Sequence, residues 1–111
     1  MSENALNTRW VEVASAEDIP EGEVIGVTVE GHEIALYHLD GGSFHATANL
    51  CTHGQALLSE GWLDDCTIEC PLHAGCFDVR TGKGLGDPIE EDLETYAVRR
   101  DGDRLLVEIP A

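Results

Sequence analysis

Basic residues are scarce in this chain. Its 111 residues include 6 Lys and Arg against 22 Asp and Glu, for a formal charge of −16 at pH 7. Nucleic acid and anionic membrane are both bound through Lys and Arg, so this balance argues against both as partners. It favours solubility and a partner with a basic docking patch. Long apolar runs are also lacking: no stretch approaches the ~18 residues of a membrane span. Met1 to Thr8 is polar, with no apolar stretch of signal-peptide length, so a cytoplasmic location is expected. No amphipathic helix of useful length, internal repeat or low-complexity segment is present. The length suits one domain, residues 1–111, with a modest core.

What is present reads as short strands punctuated by Gly and Asp. Trp10–Val13 is a candidate first strand, and Ser15-Ala16-Glu17-Asp18 resembles a capping box opening one helical turn that Pro20 stops. Ile25–Glu30 alternates apolar and other residues at the strand period. Glu30-Gly31-His32 then turns into Ile34–Leu39, and Asp40-Gly41-Gly42 turns into Ser43–Thr47. Near the C-terminus, Thr95–Arg99 and Arg104–Ile109 flank Asp101-Gly102-Asp103, a hairpin signal. The middle, about residues 49–88, differs in texture. It holds Gly54, Gly61, Gly75, Gly82, Gly84 and Gly86, with short strand candidates at Cys66–Cys70 and Cys76–Arg80 and a tight turn at Thr81–Gly84. The pattern predicts an all-β protein, an antiparallel β-sandwich or barrel base with a loop-rich metal-binding insertion.

That insertion carries two cysteine–histidine fingers, Cys51-Thr52-His53 and Cys70-Pro71-Leu72-His73, separated by sixteen residues. Each finger holds one thiolate and one imidazole on a tight loop, and two such loops facing each other clamp a small inorganic core. Cys51, His53, Cys70 and His73 are the ligand set of a [2Fe–2S] centre in which two histidines replace two cysteines on one iron. A closed tetrahedral zinc site is the alternative for the same four residues. Common zinc modules keep cysteines and histidines in separate pairs, whereas each finger here is mixed. The two thiolates offset the charge of the oxidised core, so a filled site leaves the protein about as acidic as before. Gly54 and Gly75 would let backbone N–H groups approach bridging sulfides, and Pro71 would stiffen the second loop.

Cys51-Thr52-His53-Gly54, Cys70-Pro71-Leu72-His73-Ala74-Gly75-Cys76-Phe77-Asp78 and Thr81-Gly82-Lys83 resemble the Rieske ferredoxins of bacterial aromatic-ring-hydroxylating dioxygenase systems. Val27–Gly31, Ala35-Leu36-Tyr37 and Gly61-Trp62-Leu63 are most similar to the naphthalene-dioxygenase type. The resemblance covers nearly the whole chain. It implies the Rieske fold, with a cluster-binding subdomain at about residues 49–88. It implies one [2Fe–2S] cluster, with Cys51 and Cys70 on the inner iron and His53 and His73 on the outer iron near solvent. It also implies a soluble, monomeric one-electron carrier in aromatic hydrocarbon catabolism. Such a carrier is loaded by a flavin-dependent NAD(P)H reductase and discharged into a terminal oxygenase. The chain would not itself be an enzyme: no carboxylate-plus-histidine facial site for mononuclear iron is visible. The other readings are a small Rieske subunit of a larger redox enzyme and a zinc-stabilised binding module.

Cys66 and Cys76 read as small apolar groups outside the ligand set, and His32, His38 and His45 as structural or exposed. Trp62 reads as a core residue, with docking surface as the alternative. The run Glu90-Glu91-Asp92 with Glu94 reads as a solvated face, with electrostatic steering as its competitor. Rieske proteins of respiratory chains carry a further cysteine in each finger loop and Ser and Tyr hydroxyls toward the cluster. The matching positions here are Leu72 in the second loop and one of Gln55 to Leu57 in the first, with Gly75 and Phe77 in place of the hydroxyls. Hydroxyl donors stabilise the added electron, so their replacement lowers the potential. A potential of about −150 mV, at the bottom of the Rieske range, is expected in a redox titration, and a clearly positive value would overturn this reading.

Overall fold

In the computed structural model the described residues are 8–52, 56–71, 75–85 and 91–110. They form ten strands: β1 (Thr8–Ser15), β2 (Glu23–Val29), β3 (His32–His38), β4 (Phe44–Ala48), β5 (Trp62–Asp64), β6 (Thr67–Glu69), β7 (Cys76–Asp78), β8 (Thr95–Tyr96), β9 (Val98–Asp101) and β10 (Arg104–Pro110). Two single 3-10 turns, Ala16–Asp18 and Leu58–Glu60, complete the regular structure. None of these helices is long and apolar enough to cross a membrane. The strands pair antiparallel into three sheets, ordered β1-β10-β9, β2-β3-β4-β8 and β5-β6-β7. The all-β expectation holds.

Local chemistry accounts for the meander. The Ser15 hydroxyl accepts from the Glu17 N–H at 3.3 Å and the Ser15 N–H donates to Asp18 at 3.0 Å, closing the expected capping box. Glu30 and Gly31, with φ of 52° and 88°, make the two-residue turn that joins β2 to β3. Most strand bounds move by one to three residues from the sequence reading, and two of the differences have a clear physical cause. Thr95–Arg99 is not one strand: Thr95 and Tyr96 pair with Thr47 and Ala46, whereas Val98 onward pairs with β10. The chain crosses between sheets at Ala97, whose carbonyl accepts from the Glu108 N–H at 3.0 Å. Cys76–Arg80 ends early, because the Asp78 carboxylate takes the Arg80 N–H at 2.9 Å and bends the chain into a turn.

The core has two compartments, and β3 is the wall between them. Ile34 and Leu36 face Leu105, Val107 and Ile109 of β10. Ala35 and Tyr37 face the other way, into a cluster with Leu58, Ile68, Phe77, Cys51 and Cys70. All four of these β3 residues are fully buried. Tyr37 carries a hydroxyl into this apolar surrounding and shares a 2.9 Å hydrogen bond with the buried Thr47 hydroxyl, while burial drives the phenol well above its usual ionisation range.

The strand β5, not anticipated from sequence, corrects the reading of Trp62. Leu63, Ile68 and Phe77 align across β5-β6-β7 and point inward, which turns Trp62, Glu69 and Cys76 outward. Trp62 is 60% exposed. Just before it, an added Cβ on Gly61 would lie 2.0 Å from the Glu69 carbonyl oxygen and 3.2 Å from Pro71. Gly61→Ala is therefore expected to cost roughly 3 kcal/mol or more, because the clash is with backbone that cannot move aside. Gly31→Ala, whose added Cβ meets nothing within 4 Å, should cost about 1–2 kcal/mol from its backbone conformation alone. Chemical denaturation of both variants checks the ordering, and equal losses would contradict it.

Candidate metal centre

The two fingers are built alike. Before the first, Leu50 bridges Leu57, and the Cys51 N–H donates to the Ala56 carbonyl at 2.9 Å. Before the second, Glu69 pairs with Cys76, and the Cys70 N–H donates to the Gly75 carbonyl at 2.7 Å. Each cysteine thus opens a loop closed by a hydrogen bond to the residue five positions on. Cys51 is 2% exposed and Cys70 fully buried, and both belong to the apolar cluster behind β3. His53 and His73 lie outside the described residues. Phe77, at the position where a hydroxyl donor would stand, is fully buried in that cluster. The donor chemistry fits an iron–sulfur core: two buried cysteines, each opening a loop closed by a backbone hydrogen bond, in a water-poor setting, with a histidine two or three positions on in the chain.

Supports that the sequence did not reveal hold these loops. Asn49 is buried; its side chain accepts from the Ser59 N–H at 2.8 Å and donates to the Ser59 hydroxyl at 3.0 Å. Its carbonyl accepts from the Leu58 N–H at 2.7 Å, so one residue joins both sides of the first loop. Sequence context offered one usable signal, an amide two residues before a finger cysteine.

The acidic run is more than a solvated face. The Thr52 hydroxyl donates to the Glu91 carbonyl at 3.0 Å, and the Asp92 carboxylate accepts from the Gly84 N–H at 2.9 Å. Leu93 is buried and its N–H donates to the Gly82 carbonyl at 2.7 Å, while the Glu94 carbonyl accepts from Ala48 at 2.8 Å. Residues 91–94 therefore strap the first finger to the hairpin that follows the second. Glu90 lies outside the described residues.

The remaining candidates fall into structural roles. His32 packs edge-on against Tyr96, and His38 stacks on Phe44 with its Nδ1 2.7 Å from the Ile19 carbonyl. No group of three or more metal-binding side chains occurs among the described residues. Cys66 is a free thiol packed against the core. Burial, then the neighbouring Glu69 carboxylate, pushes the Cys76 thiol up. Asp78 grips Arg80 through two side-chain hydrogen bonds, of 3.1 and 3.0 Å, which hold the carboxyl below its usual range.

The Rieske [2Fe-2S] domain model matches residues 9–97. The chain is 47% identical over 104 residues to the ferredoxin component of the naphthalene 1,2-dioxygenase system of Pseudomonas putida, covering 94% of this chain and 99% of that one. It superposes on the Sphingomonas yanoikuyae B1 ferredoxin with a TM-score of 0.86 at 33% identity, covering 92% and 100% of the two chains. It also superposes on a chain in the complex of reduced oxygenase and oxidized ferredoxin of carbazole 1,9a-dioxygenase, with a TM-score of 0.83 at 37% identity, covering 88% and 91%. The chain belongs to the Rieske [2Fe–2S] domain family, and within it to the ferredoxin components of aromatic-ring dioxygenase systems. Its cofactor is one Rieske-type [2Fe–2S] cluster.

His45 supplies a pH test of the fold. Burial first, then the Arg80 charge, lower its pKa, with Asp78 opposing. The folded state therefore binds fewer protons than the unfolded chain as pH falls through the ordinary imidazole value of about 6.5, and stability falls with it. His45→Gln is expected to flatten that loss between about pH 7 and 5 and to leave stability at pH 8 nearly unchanged, as read by denaturation at each pH.

Proposed function

We propose that this chain is a diffusible one-electron carrier, loaded by a flavin-dependent NAD(P)H reductase and discharged into a terminal Rieske non-haem iron oxygenase that hydroxylates aromatic hydrocarbons. It performs no bond chemistry on the substrate. Residues 1–111 act as one domain, with the cluster-binding part at about residues 49–88. Cys51 and Cys70 hold the inner iron, and His53 and His73 hold the outer iron near solvent. The cluster supplies a reversible one-electron couple. The carrier works in the cytoplasm as a monomer.

The observation that carries this reading is the pair of matched loops, each closed behind a buried cysteine. These closures fix the two cysteines against the core behind β3. The Asn49–Ser59 hydrogen bonds and the 91–94 strap hold them further. Support for the partners comes from the relatives. One is a component of a naphthalene dioxygenase system, and a ferredoxin of similar fold has been solved with its oxygenase.

The purified protein is expected to be coloured, with iron and acid-labile sulfide in equal amounts. A colourless protein holding zinc would overturn the reading. Cys70→Ser should abolish the colour. His73→Cys replaces a neutral ligand with an anionic one, so any cluster it retains should move down toward the about −400 mV of all-cysteine ferredoxins. A redox titration that finds no downward shift would remove His73 from the ligand set.

A further inference from the structure

Trp62 stands 60% exposed at the edge of a groove of about 260 Å³ lined also by Gly22, Glu23, Val24, Ser59 and Leu63. The surroundings are acidic. Glu60 and Asp64 flank Trp62 in the chain and are exposed, Glu69 lies directly across the β5–β6 ladder, and Glu23 lines the groove. No Lys or Arg occurs anywhere from Trp10 to Val79, while thirteen Asp and Glu do. The cations lie elsewhere: Arg9, Arg99, Arg100 and Arg104 on β1, β9 and β10, and Arg80 and Lys83 after β7.

Those arginines already have partners within the chain. Arg9 pairs with Glu30, Arg80 with Asp78, Arg100 with Asp103 at 3.8 Å and Arg104 with Glu12 at 3.3 Å. Arg99 lies over the Trp10 ring at 4.6 Å, and Arg100 over Phe44 at 5.7 Å. Among the described residues, no cation of this chain covers Trp62. An indole ringed by carboxylates is a strong seat for a guanidinium, because ring quadrupole and carboxylate act on the same charge. The seat also adjoins the redox centre: Glu69, opposite Trp62, immediately precedes Cys70.

We infer that the Trp62 groove is a docking surface for a redox partner protein that presents an arginine within a basic face. The guanidinium stacks on the indole and pairs with Glu23, while Glu60, Asp64 and Glu69 attract the surrounding cations. The surface lies on the flank of the second finger. This inference rests on the electron-carrier reading.

The test uses the reductase and the oxygenase of the Pseudomonas putida naphthalene 1,2-dioxygenase system, with the intact, cluster-loaded protein as the varied substrate. Trp62→Ala is expected to raise its KM with at least one of the two partners by about tenfold, with kcat and reduction potential unchanged. Trp62→Tyr should recover most of that loss. Glu23→Gln should raise KM about threefold and flatten its dependence on ionic strength. Unchanged KM with both partners in Trp62→Ala and Glu23→Gln would overturn the inference. If Trp62→Ala loses its cluster, Glu23→Lys on β2 replaces it. A rise in KM that salt abolishes then supports the groove, and no rise overturns it. A wild-type protein that dithionite reduces but neither partner exchanges electrons with would overturn the carrier reading itself, and the groove with it.

Discussion

The arrangement depends on β3 being buried on both faces. A strand with one wet face needs one core, whereas here Ile34 and Leu36 serve one compartment and Ala35 and Tyr37 the other. Burying side chains the size of Ile34 and Leu36 is worth roughly 1.5–3 kcal/mol each, so the register of β3 is strongly enforced. A slip of one residue would exchange the two faces and present Tyr37 to the β10 side. Its hydrogen bond to Thr47 would be lost along with the packing. The compartment on the Tyr37 side is the one that contains Cys51 and Cys70, so the same strand that organises the scaffold backs both finger cysteines.

From that wall the centre is held by backbone geometry more than by side-chain contacts. The loops after β4 and β6 close in the same way, and the strap at residues 91–94 ties the first to the hairpin beyond the second. Charge follows a different division. Cations gather on the β1-β10-β9 sheet and the turn after β7, while the face that carries Trp62 is acidic. A carrier divided in this way has an oriented field.

Much of this was legible in the sequence. The capping box at Ser15, the turn at Glu30-Gly31 and the hairpin at Gly102 follow from local residue chemistry, which acts over two to four positions. The fingers were legible because ligand chemistry restricts residue type and spacing together. Trp62 was misread because a large aromatic is most often buried, and its exposure depends on the register of a three-residue strand. The run Thr95–Arg99 was read as one strand because strand propensity does not say which sheet a residue joins. Glu91 and Glu94 are exposed, yet the Glu91 carbonyl and the Asp92 carboxylate are committed to the loops.

By itself the sequence determined the strand content and the family, since these depend on residue identity and short-range spacing. Tertiary structure decided what surrounds the centre. It set which face of β3 meets the cysteines, made Asn49 a clasp and the 91–94 segment a strap, and turned Trp62 outward beside Glu23. Each of these is a contact between residues far apart in the chain. Such contacts exist only once sheet register is set, and register is a property of the packed molecule.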